Sequence, residues 1–151
     1  MILDAATPPA GTVRDWLDHR ASTTGEALAY VFAEADDAPL TWRELRDHAA
    51  RIAAGLTALG IAKGESVAVM MPNGRDAVLA TFGALYGGFR ATMINLVAGT
   101  EAITFALSHS EARFAFVDAG QNELFRAADP GGAVSQLSID LPASDQRLHA
   151  L

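Results

Sequence analysis

Ser66-Val67-Ala68-Val69-Met70-Met71, followed by Pro72-Asn73-Gly74, is the stretch on which the fold turns. The run before the proline is uncharged and does not alternate between polar and apolar. That is the signature of a strand covered on both faces, as strands of parallel sheets are. Pro72-Asn73-Gly74 stops it, because proline offers no ladder donor and asparagine and glycine favour turns. On its other side Lys63-Gly64-Glu65 turns the chain into the strand.

Downstream, helical and strand patterns alternate. A helix is expected from about residue 75 to 86, with Val78, Leu79, Phe82 and Leu85 inward. It closes at Gly87-Gly88, read as a C-cap and tight turn in preference to a ligand-approach site. Ala91-Thr92-Met93-Ile94-Asn95 reads as the next strand. Gly99-Thr100-Glu101 opens a third helix, whose Ile103, Ala106 and Leu107 share a face. A strand over 113–118 follows, then a short helix over 121–126, a turn at Asp129-Pro130-Gly131-Gly132 and a last strand over 133–139. Residues 140–151 are polar and unpatterned, so a disordered tail is expected there and a single unit over 1–139. Strands alternating with helices through short connections imply right-handed crossovers and a mainly parallel sheet with flanking helices. The fold class is α/β.

Upstream, Thr12 caps a short amphipathic helix with Asp15 in its first turn. Residues 27–32 are β-prone, and Leu40-Thr41 is a short return strand after the turn over 36–39. Thr41-Trp42-Arg43-Glu44 is a capping box. The stripe Leu45, Ala49, Ile52, Leu56, Leu59 then runs along one helix face until Gly60 supplies a left-handed residue. Trp16 and Trp42 read as helix-packing aromatics.

The totals narrow the function classes. The chain has 151 residues, half of them apolar, enough for a core that removes about 70% of the unfolded surface from water. Eleven basic against 18 acidic residues give a formal charge of −7, with Lys63 the one lysine, which disfavours non-specific nucleic-acid binding. Cysteine is absent, so disulfides, thiolate catalysis and cysteine-held zinc are excluded within the chain. The first residues, Met1-Ile2-Leu3-Asp4-Ala5-Ala6, lack a basic region followed by an apolar run, so no secretory leader is read and a cytoplasmic location is expected. The longest uncharged run, Ala77 to Phe89, is too short for a membrane span.

No catalytic constellation emerges. His19, His48, His109 and His149 stand far apart and in no metal-ligand spacing, so no metal site is expected. His48 is read as a surface or helix-flank residue. Ser108-His109-Ser110 places neighbours on different sides of a helix, which defeats a Ser–His reading. Neither a Rossmann fingerprint nor a Walker loop is present. The best local candidates for lining a pocket are Asn95, at a strand's carboxyl end, and Thr100, at the start of the next helix, where open α/β sheets bind ligands. The plainer alternative is that Asn95 caps the loop and Thr100 caps the helix.

Several segments together resemble the AMP-forming (adenylate-forming) acyl-CoA synthetase family. Thr41-Trp42-Arg43-Glu44-Leu45 is similar to its "T-Y/W-x-E-L" helix. Residues 60–68, Gly-Ile-Ala-Lys-Gly-Glu-Ser-Val-Ala, resemble "G-[VI]-x-x-G-D-x-V-A", and Pro72-Asn73 resembles the "P-N" closing that strand. Leu85-Tyr86-Gly87-Gly88-Phe89 with Ile94-Asn95, then residues 107–113, continue the series in the family's order. No one segment is specific; the ordered series over residues 12–118 is what carries the resemblance.

What the resemblance implies is an acid–thiol ligase, which activates a carboxylic acid with Mg-ATP to an acyl adenylate and passes the acyl group to a thiol such as coenzyme A. The wording is closer to CoA ligases than to peptide-synthetase domains. Met93 and Leu96 replace two family prolines, and Val97 stands where the family often has a basic residue, which in some CoA ligases helps hold the nucleotide end of coenzyme A. The Ser/Thr/Gly-rich phosphate loop and the catalytic lysine of the family have no counterpart in these residues. The expectation is therefore the N-terminal part of a ligase, inactive alone, with no catalytic residue and no tight binding of ATP, Mg or coenzyme A. Self-association through a surface meant for the remainder is expected too. The alternative is a non-enzymatic α/β module that pairs with a separate catalytic chain. The acid is open among alkyl, aryl and amino-acid types.

Overall fold

A computed structural model of the protein describes residues 11–33, 37–139 and 149–150, the last two by backbone alone. The readings of residues 1–6, of Asp36 and of most of the 140–151 tail lie outside the described residues.

Helix α1 spans Val13–Thr24. The Thr12 hydroxyl accepts the Asp15 N–H at 3.3 Å while the Asp15 carboxylate accepts the Thr12 N–H at 2.8 Å. Two short antiparallel strands follow, β1 at Leu28–Tyr30 and β2 at Leu40–Thr41. Helix α2, Trp42–Ala58, starts on the expected capping box, and Gly60 beyond its end takes φ +79°.

The main sheet holds β3 (Ser66–Met70), β4 (Arg90–Met93), β5 (Phe114–Val117), β6 (Ser135–Ser138) and β7 (His149–Ala150), in the order β4-β3-β5-β6-β7. The first four run parallel; β7 pairs antiparallel with β6. Helix α3 (Arg75–Gly87) joins β3 to β4, α4 (Thr100–Ser110) joins β4 to β5, and α5 (Asn122–Ala128) precedes β6. The chain moves one way from β3 to β4 and back the other way to β5. Crossovers of one hand then place α3 and α4 on opposite faces.

That arrangement explains the uncharged strand. Every residue of β3 is buried. Val67 and Val69 join Leu45, Ile52, Leu56 and Leu79 beneath α1–α3, while Ala68 and Met70 join Ile103, Leu107 and Phe125 beneath α4 and α5. Neither face has room for a charge.

Two readings need correction. The inward face of α3 is Ala77, Leu79, Ala80, Gly83, Ala84 and Gly87, whereas Val78, Phe82 and Leu85 are half-buried. A Cβ at Gly83 would strike the Ile52 side chain, so small residues are what let α2 and α3 approach. His48 is buried, 8% exposed, because steps of 3 and 4 place it with Leu45 and Ile52 on the inward face of α2. Among the described residues no helix is long and apolar enough to cross a membrane.

Candidate functional site

The site is built at the carboxyl ends of the parallel strands. β3 leads off toward β4 and β5 toward β6, so the direction of winding reverses between β3 and β5, where open α/β sheets place ligands. The Asp118 N–H closes that junction on the Met70 carbonyl at 3.2 Å. One strand over, Pro72, Asn73, Met93, Asn95 and Val97 line a groove of about 360 Å³ at the ends of β3 and β4.

Asn95 lies in this groove. Its Oδ1 accepts the Val97 N–H at 3.2 Å, so it does close the loop after β4. Thr100 is elsewhere: with Gly99, Glu101 and Phe105 it lines a separate depression. Thr100 does not cap α4 either. The cap is Gly99, at φ +81°, and the Thr100 carbonyl accepts the Thr104 hydroxyl at 2.9 Å. The two candidates therefore do not share one cavity. The hydroxyls of Ser108 and Ser110 donate to carbonyls of their own helix, and the His109 ring stacks on Phe105 at 4.5 Å.

An apolar pocket of about 350 Å³ adjoins the groove and shares Asn73 and Met93 with it. Tyr30, Phe32, Val78 and Phe82 wall it; Tyr30 stacks on Phe32 at 6.2 Å and meets Phe82 edge-on at 5.9 Å. The Thr81 hydroxyl is already engaged, donating to the Ala77 carbonyl at 2.7 Å with the Met93 sulfur at 3.3 Å.

The start of α3 is acidic. Gly74 has no side chain with which to cap it, and the Asp37 carboxylate accepts the Arg75 N–H at 3.1 Å instead. Partial desolvation raises the pKa of Asp76, whose side chain stays exposed; Arg75 opposes the rise, and Asp37 and Asp118 add to it. The Arg75 guanidinium is 3.5 Å from His48 Nε2, and Arg51 is 3.4 Å from Nδ1. Sequence reasoning missed this cluster, since Asp37 meets Arg75 across 38 residues with no local pattern to announce it.

These residues do not suit a triphosphate. Asp37 takes one of the first-turn amides of α3, that of Arg75, and Asp76 and Asp118 add like charge around it, as Glu101 adds a carboxylate to the first turn of α4.

A mainly parallel sheet covered by helices on both faces, with a groove at its strand ends, defines an α/β architecture. The chain belongs to the AMP-binding enzyme family, whose model matches residues 17–149. It is 32% identical over 124 residues to the long-chain-fatty-acid–CoA ligase FadD13 of Mycobacterium tuberculosis, covering 80% of this chain and 25% of that protein. Tyrocidine synthase 2 of Brevibacillus parabrevis is 32% identical over 106 residues, 70% of this chain and 3% of that protein. Among solved structures, the N-terminal domain of FACL13 from M. tuberculosis superposes with a TM-score of 0.74 at 32% identity, covering 83% of this chain and 33% of that one. The chain thus spans about a quarter of the length of its CoA-ligase relatives. It is an N-terminal portion of the fold of adenylate-forming enzymes.

Proposed function

We propose that this chain is the N-terminal part of an ATP-dependent, AMP-forming acid–CoA ligase, and that alone it does not adenylate. The whole enzyme would join a carboxylic acid to AMP from Mg-ATP and then transfer the acyl group to coenzyme A in the cytoplasm. The unit proposed for that portion is residues 1–139, to whose sheet the backbone of His149–Ala150 adds a strand. Its contribution is a rigid sheet whose strand ends supply one wall of the reaction cleft, with Asn95 on that wall and Thr100 in the depression beside it.

The observation that carries this reading is the pairing of a family match over residues 17–149 with an acidic, already capped helix start where an anion would need free amides. The bare apolar face agrees with it. Met93, 53% exposed, lines the pocket of Tyr30, Phe32 and Phe82, and Leu28 and Val31 are exposed as well, at 58% and 72%. Exposed apolar surface of that kind marks a contact face, and here it suits the remaining three quarters of a ligase. Isothermal calorimetry with Mg-ATP, an aliphatic or aryl acid and coenzyme A tests the proposal. No heat from ATP is expected with this chain; tight ATP binding would overturn it.

A further inference from the structure

We draw no further inference here: the strongest candidate, the cluster of Asp37, Asp76 and Asp118 around the start of α3 beside the His48–Arg75 contact, is an acidic cluster with no bound ion or other independent sign of a ligand.

Discussion

Asp76 shows how one residue's surroundings decide its worth. Asp76 keeps an exposed surface, and partial desolvation is the first reason its pKa is raised, with Asp37 and Asp118 adding repulsion and Arg75 offsetting part of it. An acid whose pKa is higher folded than unfolded costs stability above the folded value, and the cost fades as pH falls through that value toward the unfolded one near 3.9. Asp76→Asn should therefore melt at a higher temperature than wild type at pH 7. The gain should shrink at pH 4, as read by circular dichroism. Equal melting temperatures at pH 7 would refute the account. Gly83 is a second case. Gly83→Ala gains about 1 kcal/mol of helix propensity but drives a Cβ into Ile52, and overpacking costs about 1–3 kcal/mol. A net loss of up to about 2 kcal/mol is expected in urea unfolding. It should be relieved in an Ile52→Ala background, where the obstructing methyls are gone.

At the scale of elements, the capped helices are the best-predicted parts. The Thr41 hydroxyl receives the Glu44 N–H at 3.2 Å, and the Glu44 carboxylate accepts the Thr41 N–H at 2.9 Å. Those bonds from Thr41, backbone first, hold the Glu44 pKa below its ordinary value. This stabilisation is present above the unfolded glutamate pKa and is lost as pH falls through the lower, folded value. Thr41→Ala should cost about 1 kcal/mol at pH 7, with less effect in acid, measurable as a shift in urea midpoint at unchanged slope. All of this lies within a few residues along the chain, which is why the sequence shows it. Helix α1 repeats the arrangement with Asp15, a shorter acid than the usual glutamate, so only its cap was legible. The face of α3 was not: Val78 and Phe82 fit a helical stripe as well as Ala80 and Ala84 do. What decides between them is the partner, because α2 comes close enough to favour small residues.

For the molecule as a whole, the unevenly covered surface is the main consequence. Among the described residues β4 stands at one end of the sheet order, with β3 as its one strand partner. The half-buried rings of Tyr30, Phe32 and Phe82 lie nearby with the exposed Met93. In the absence of the remainder of a ligase, copies of the chain are expected to associate through this face. Light scattering after size exclusion should give a mass above the 15.8 kDa monomer. The doubly substituted Val31→Asp, Met93→Asp chain should return to the monomer, since both side chains are exposed and tolerate charge without disturbing the core. A wild-type chain that is monomeric across a wide concentration range would remove the support this face gives to the proposed role.

The sequence by itself determined the α/β class, the buried central strand, the start of α2 and membership of the family, because each rests on local bonding or on an ordered series of short segments. Only the tertiary structure decided that His48 is buried beside Arg51 and Arg75, that Asp37 caps a helix beginning 38 residues later, and that Asn95 and Thr100 face different depressions. These depend on how α2, α3 and the sheet come together in space. Contacts between residues far apart in sequence leave no period and no spacing in the chain from which to read them.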